Sequence, residues 1–422
     1  MRIALISDHA SPLTPPGAID AGGQNVYVAE VARHQRALGH EVDVFTRRDD
    51  PSLPPEVVTP DGVRVVHVDA GPARPIPKER LLPFMDDFAA SVERTARIRR
   101  YDVVHANFWM SAIAGMRLQR SLGTPFVVTF HALGKIRRRE QGAADGSPAA
   151  REAIETAAIR TADRVVAECP QDEYDLCELY GAERARISMV PAGYEPRELS
   201  PRWRYAARRR IHIPLGGPLI LHVGRFVPRK GIDDAIRGAS AVLARMRHAR
   251  MIIVGGHADD PASVQERARL ERIARELEVR KQIAFAGSVP REGLRDFYAA
   301  ADVFVTTPWY EPFGITPIEA MACGTPVIGS AVGGIGFTVR DGVTGFLVPP
   351  RAPEAIADAL GEALSDRRRL RQMGRAAARH VHPTFTWRRI AEQLVGVYDE
   401  ALDAARGAGI DAAVGAGWQD AS

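Results

Sequence analysis

Short runs of β-branched and other apolar residues alternate with stretches of helical length along the whole chain. In the first half the strand-like runs are Arg2 to Ser7, Val42 to Thr46, Val63 to Val68, Asp102 to Ala106, Phe126 to Phe130, Arg164 to Ala167 and Arg186 to Val190. Between most of them apolar residues recur at a helical period, as in Gln24 to Leu38, Leu82 to Ile98 and Ala149 to Thr161. Strand and helix in alternation predict βαβ units around a buried parallel sheet. The pattern breaks after Val190-Pro191-Ala192-Gly193, and the stretch Glu195 to Pro218, rich in proline and arginine, reads as a linker with a short basic helix. Alternation resumes with Leu219 to Val223 and continues through Met251 to Val254, Gln282 to Phe285, Asp302 to Val305 and Pro326 to Ile328. The fold class predicted is α/β, with two doubly wound parallel-sheet domains over 1–196 and 197–384. A helix follows within 385–405, and 406–422, rich in Gly and Ala, reads as a loose tail. Such sheets bind ligands outside the carboxyl ends of their strands, so functional residues are expected in the turns that follow strands, lining a cleft between the domains.

Composition narrows the classes. A chain of 422 residues that is 45% hydrophobic can fill two sizeable cores. The 56 Lys+Arg against 52 Asp+Glu leave a formal charge of +4, too mild for nucleic-acid packing, and no nucleic-acid partner is expected. Cys169, Cys177 and Cys323 form neither a CxxC nor a Cys/His zinc spacing, so no metal centre is expected and a reduced compartment fits. No apolar run approaches the roughly 18 residues of a membrane span, and the chain opens on a strand-like run instead of a leader; a cytoplasmic location is the expectation. Lysine survives at only Lys78, Lys135, Lys230 and Lys281, in a chain that uses arginine everywhere else, so those positions invite a search for a compact ammonium.

Candidate chemistry sits in the predicted turns. Asp20-Ala21-Gly22-Gly23-Gln24-Asn25-Val26-Tyr27-Val28 opens a helix after a proline-rich loop. Two glycines at a helix N-terminus let the backbone approach an anion such as a diphosphate; a plain loop-to-helix turn is the other reading. In the second domain the strand Leu219 to Val223 runs into Gly224-Arg225-Phe226-Val227-Pro228-Arg229-Lys230-Gly231, where Arg225 and Lys230 can clamp one diphosphate as fork and point charge, or form a solvated basic loop. Glu311 and Glu319 flank the amides of Phe313, Gly314 and Ile315 at the start of a helix. The two carboxylates suit hydrogen bonds to the vicinal hydroxyls of a sugar and a ribose, or an acid/base pair of a glycosidase about 5 to 9.5 Å apart. His131 directly follows the strand ending at Phe130, at a cleft mouth, and serves either catalysis or structure; His105, at another strand end, either lines the acceptor side or packs in the core. The absence of a GxGxxG after the first strand argues against an NAD oxidoreductase.

Together, Gly22-Gly23, His131, the Gly224-Arg225 to Lys230 loop and Glu311-Pro312-Phe313-Gly314-Ile315 to Glu319, in this order, resemble the retaining GT-B fold glycosyltransferases of family 4 over nearly the whole chain. The resemblance implies two Rossmann-like domains facing across a cleft, the first holding the acceptor and the second the nucleotide-sugar donor, with the last helix returning to the first domain. Carried over by position, Arg225 and Lys230 bind the donor diphosphate with Gly23 facing it. Glu311 and the Phe313, Gly314 and Ile315 amides hold the transferred sugar, Glu319 takes the ribose hydroxyls, and Arg291 stacks on the base. His131 lies beside the donor sugar and helps stabilise oxocarbenium charge, so His131 and Glu311 are the catalytic candidates. Side chains in place of a metal neutralise the leaving group, in keeping with the lack of Asp-x-Asp in the cleft loops. The activity implied is that of a metal-independent hexosyltransferase without a cofactor, the nucleotide-sugar being a co-substrate.

Two subgroups of the family meet in this sequence. Gly22-Gly23-Gln24 is similar to sucrose-phosphate synthases, whereas Asn25-Val26-Tyr27-Val28 and Lys78 are similar to the inositol-phosphate N-acetylglucosaminyltransferases of mycothiol synthesis; both imply a UDP-sugar, UDP-glucose or UDP-N-acetylglucosamine. Phe108 and Leu133 stand where the latter have a tyrosine that contacts the acceptor phosphate and a threonine; losing two hydroxyl donors argues against inositol phosphate and leaves the acceptor open among small-molecule, lipid and glycan classes. Lys78, His105, Asn107 and Lys135 are the acceptor-side candidates, and the basic run Lys135-Ile136-Arg137-Arg138-Arg139 is expected either to attract a phosphorylated acceptor or to be a solvated helix face. The cluster Arg202 to Arg210 invites peripheral contact with an anionic membrane surface or solubilises a linker. The alternatives are a sucrose-phosphate-synthase-like transfer from UDP-glucose to a sugar phosphate, and a non-catalytic nucleotide-sugar-binding protein, which would be expected to lack His131, Glu311 or Glu319.

Overall fold

The valine- and isoleucine-rich runs become strands because β-branched side chains pack well on a pleated surface. The computed structural model describes residues 1–14 and 22–419, with side chains as far as Arg406. Its strands in the first half are β1 (Arg2–Ile6), β2 (Glu41–Arg47), β3 (Glu56–Val58), β4 (Arg64–Val68), β5 (Val103–Asn107), β6 (Phe126–Thr129), β7 (Arg164–Ala167) and β8 (Ile187–Met189). Those in the second half are β9 (Leu219–Val223), β10 (Arg250–Val254), β11 (Ile283–Gly287), β12 (Val303–Thr306), β13 (Val327–Ser330) and β14 (Gly345–Val348). Two of these escape the hydrophobic pattern: β3, three residues inside a proline-rich stretch, and β14, which follows Gly342 and Thr344.

Two compact units divide the chain. Unit 1 comprises Met1–Leu13, Gln24–Val190 and the chain from Arg388 onward; unit 2 comprises Thr14–Gly23 and Pro191–Trp387. The sheet of unit 1 has the order β3-β4-β2-β1-β5-β6-β7-β8, parallel throughout except for β3 against β4. That of unit 2 runs β11-β10-β9-β12-β13-β14 and is parallel throughout. Both are doubly wound α/β sheets. Strand order reverses direction between β1 and β5 in unit 1, and between β9 and β12 in unit 2, and at such switch points neighbouring loops diverge and leave a crevice. Each unit has its own core, Phe45, Phe88, Trp109 and Phe126 in the first and Ile220, Ile253, Val305 and Leu360 in the second.

The final helix, Trp387–Gln419, belongs to unit 1 from Arg388 on. Tyr398 is fully buried there, its hydroxyl 2.8 Å from Nδ1 of His105 and accepting from Nε2 of Gln35 at 2.9 Å. The stretch 406–422, read from the sequence as a tail, is helical as far as Gln419, and 420–422 lie outside the described residues.

Candidate active site

Unit 2 assembles a charged cluster at its switch point. β9 ends at Val223, and the loop after it turns through Gly224 and Arg225 to Lys230 and Gly231. Gly231 has φ +62°, and a Cβ there would lie 2.0 Å from the carbonyl oxygen of Thr307, which follows β12; the Thr307 hydroxyl in turn donates to the Gly231 carbonyl at 2.9 Å. Only glycine fits this close approach, which locks the β9 loop to the β12 loop. Lys230 and Glu311 therefore meet, the ammonium donating to Oε2 of the carboxylate, with the Arg229 guanidinium 3.8 Å from the same oxygen. Burial alone would raise Glu311, but Lys230, Arg229 and Arg225 outweigh it and hold the carboxyl below its ordinary value. Lys230 is lowered by burial against the pull of Glu311. A second glycine contact props the carboxylate loop: Gly333, at φ +45°, would carry a Cβ 1.9 Å from the Glu311 carbonyl oxygen.

Gly314, at φ +88°, caps the helix Ile315–Ala322 that carries Glu319. Glu319 is buried and held from two sides, by the Arg291 guanidinium at 3.2 Å and the Tyr298 hydroxyl at 2.8 Å. Burial raises its pKa over the opposing effect of Arg291. Arg291 also donates to Glu198 at 2.6 Å, so its guanidinium is engaged by two carboxylates. Phe313 is buried beside Phe385, ring centroids 6.1 Å apart. Gly22 and Gly23 group with unit 2: a Cβ on Gly22 would sit 3.8 Å from the guanidinium carbon of Arg225, and one on Gly23 3.6 Å from Cδ1 of Ile315. Asp20 and Ala21, at the head of that motif, lie outside the described residues.

In unit 1, His131 follows β6 with φ +56°, a conformation that non-glycine residues rarely hold. Its Nδ1 lies 3.3 Å from Oε2 of Glu168 and its Nε2 3.0 Å from Oδ1 of Asn107, and the Tyr27 ring meets it edge-on at 4.7 Å. Phe108, which follows β5, has φ +88°. Its ring lies 5.2 Å from the Arg151 guanidinium and 4.7 Å from the ring of His9. Phe108 lines a small pocket with Lys78, Glu79, Trp109, Arg137, Ser147, Pro148 and Arg151. Three cations converge there. Arg137 is fixed by Glu79 at 3.1 Å and Asp145 at 2.9 Å, and Arg151, almost wholly buried, by Glu155 at 2.8 Å. Glu155 also accepts from the Gly134 amide and the Tyr180 hydroxyl, which ties the loop after His131 to Arg151.

Of the acceptor-side candidates, the structure brings Lys78 to this pocket and Asn107 to His131. It places His105 and Lys135 elsewhere. His105 is inaccessible to solvent, with Nε2 2.8 Å from the Thr129 hydroxyl and Nδ1 on Tyr398, and burial pushes its pKa down to about 3: it is a satisfied core histidine. Lys135 donates to the Leu179 carbonyl and lies 4.6 Å from the Tyr180 ring centroid. Of the basic run after it, Arg137 is the member that lines the pocket, whereas Arg138 pairs with Glu152 and Arg139 with Glu140. In the cluster Arg202 to Arg210, Arg202 pairs with Asp296 while Arg204 and Arg208 both pair with Asp302. Sequence reading missed Arg151, Glu168, Tyr298 and Gly333. Arg151 sits in a stretch read only as helix, but the spacing Arg151 to Glu155 was a visible i,i+4 pair.

Residues 204–380 match the family described as glycosyl transferases group 1, and residues 21–198 match glycosyltransferase family 4. The chain is 39% identical to a D-inositol 3-phosphate glycosyltransferase of Acidothermus cellulolyticus over 409 residues, covering 95% of this chain and 90% of that one. It is 39% identical to the protein of the same description from Nocardia farcinica, covering 99% and 92%. Among solved structures, sucrose-phosphate synthase from Thermosynechococcus elongatus aligns with a TM-score of 0.89 at 33% identity, over 96% of this chain and 99% of that one.

Proposed function

The chain belongs to the group 1, family 4 glycosyltransferases, and from that premise we propose that it moves a hexosyl group, with retention, from a UDP-sugar to a hydroxyl of a sugar phosphate. The observation that carries this reading is the meeting of Lys230 and Glu311, with Arg225 close enough to act on both, at the switch point of unit 2. A fork and a point charge suit a diphosphate whose negative charge grows as the sugar leaves, so the leaving group needs no metal for neutralisation. Glu311 takes hydroxyls of the transferred sugar, and Glu319, which uses one lone pair of each oxygen on Arg291 and Tyr298, retains others for the ribose. His131 is assigned the stabilisation of oxocarbenium charge on the transferred sugar. A phosphorylated acceptor is supported by the pocket of Lys78, Arg137 and Arg151 in unit 1. The relatives named above act, by their descriptions, on inositol phosphate or form sucrose phosphate, and both chemistries offer a phosphate to such a pocket.

Thermal unfolding tests the donor assignment. UDP and UDP-glucose are expected to raise the midpoint with or without EDTA, because a ligand at about 100 times its Kd adds roughly 2.7 kcal/mol to the native state. GDP and ADP are expected to do less, and Lys230→Ala to abolish both the UDP shift and transfer. A shift with GDP or ADP alone would overturn the choice of nucleotide, one lost in EDTA the metal-free reading, and none at all the donor site.

A further inference from the structure

Glu168 follows β7, with a side chain only 5% exposed. Among the described residues its one ion-pair partner is His131. The acidic group facing it is Asp172, whose Oδ2 accepts from the Glu168 amide at 3.0 Å. A carboxylate so enclosed, without lysine or arginine, is costly unless it acts on something. What it acts on is an imidazole held in a strained backbone conformation, its second nitrogen occupied by Asn107 and its ring fixed edge-on by Tyr27. Strain of this kind persists where the surroundings hold it, and it gathers at functional sites.

Resting on the reading that His131 stabilises charge on the transferred sugar, we propose that Glu168 is a positioning residue for transfer: it holds the His131 ring by Nδ1 and supplies the negative potential that the ring conveys to the sugar. The sign holds for either charge state of the histidine. With a neutral imidazole, Nδ1–H donating to Glu168 and Nε2 accepting from the Asn107 carboxamide turned to present its NH2, the pair carries −1; with an imidazolium, donating to Glu168 and to Asn107 Oδ1, it carries 0. Without the carboxylate the same two states carry 0 and +1. Removing Glu168 therefore makes the surroundings of the sugar one unit more positive, which opposes an oxocarbenium-like transition state and leaves ground-state binding of a neutral sugar ring little changed. No proton leaves the dyad during transfer; its role is electrostatic and geometric.

The test uses the full-length protein with UDP-glucose, reading UDP release without acceptor and with fructose 6-phosphate or inositol 3-phosphate. Glu168→Gln, which keeps the shape and removes the charge, is expected to lower kcat at least tenfold, with KM for UDP-glucose within twofold and the thermal midpoint preserved. Glu168→Asp is expected to recover part of the rate. In the NMR spectrum of 15N-histidine-labelled protein, the Nδ1 signal of His131 is expected to move in Glu168→Gln. An unchanged kcat in Glu168→Gln, or a rise in KM alone, overturns the proposal. So does a loss of rate that follows the loss of thermal stability and is not recovered by Asp, since that is a packing role. His131→Ala in the same assay separates the two levels: full activity there removes the premise and the proposal with it. An inactive His131→Ala beside a fully active Glu168→Gln removes the proposal alone.

Discussion

His131, two residues past the end of β6, and Phe108, the first residue after β5, carry side chains at positive φ, +56° and +88°. Each turn re-aims a ring that a straight continuation of the strand would have sent elsewhere, and each is held by hydrogen bonds of its neighbours: the Phe108 amide donates to the Thr129 carbonyl at 2.8 Å. Behind His131, loss of hydration and then the nearby Glu168 carboxylate push Asp172 up to about 7. A carboxyl whose folded pKa lies above its unfolded one binds more protons when folded, so this group favours the native state at low pH and withdraws that support as pH rises from about 4 through 7. Asp172→Asn, which cannot ionise and keeps an acceptor for the Glu168 amide, is expected to raise the thermal midpoint by roughly 2 °C at pH 8 and by progressively less towards pH 4, below both pKa values. Scanning calorimetry at the two pH values checks it; an equal effect at both would locate the cause in packing.

At the scale of elements, loops that follow parallel strands carry the chemistry, and glycines set where those loops can go. Gly231→Ala would drive a Cβ into the Thr307 carbonyl and move the Lys230 loop away from Glu311. The expected result is a UDP-glucose KM raised at least tenfold with kcat less affected, read from initial rates. Much of this scale was legible in the sequence, because β9 and β12 are mostly apolar runs and the charged residues after them stand out against a chain with four lysines. The rest was hidden for physical reasons. β3 has too few residues for a pattern to show, and β14 opens on Gly345 directly after the turn-like stretch Asp341-Gly342-Val343-Thr344. Gly333 looks like any glycine until the Glu311 carbonyl is found against it. Glu168 reads as a surface acid following Ala167, since burial and its long-range partner are tertiary facts. His105 and His131 could not be told apart by pattern, each being expected at or just past a strand end; the structure puts His105 in the middle of β5, and its core position rests on Tyr398, which is 293 residues away.

At the scale of the molecule, the chain leaves unit 1 at Val190, builds unit 2, and returns at Arg388 to finish the first. No helix among the described residues is long and apolar enough to cross a membrane. The return has an energetic signature. Tyr398→Phe removes the hydroxyl that meets Gln35 and His105 in the core of unit 1, leaving both without that partner, and is expected to cost about 1–3 kcal/mol in urea unfolding. The residues assigned to the donor lie in unit 2, so the UDP-induced midpoint shift is expected to persist in this variant; its disappearance would show that the two units are not energetically separable.

The same return sets an order of birth. A ribosome adds about 5–20 residues per second, so the roughly 200 residues between Val190 and Tyr398 take about 10 to 40 s to emerge. Throughout that interval the nascent first sheet exists without the helix that fills its histidine pocket, whereas the second sheet has every strand it needs once Val348 has been made, ahead of Tyr398. The unit begun first is thus the last that can be completed, and a chain released early carries an open apolar seam for a chaperone to cover or a protease to find.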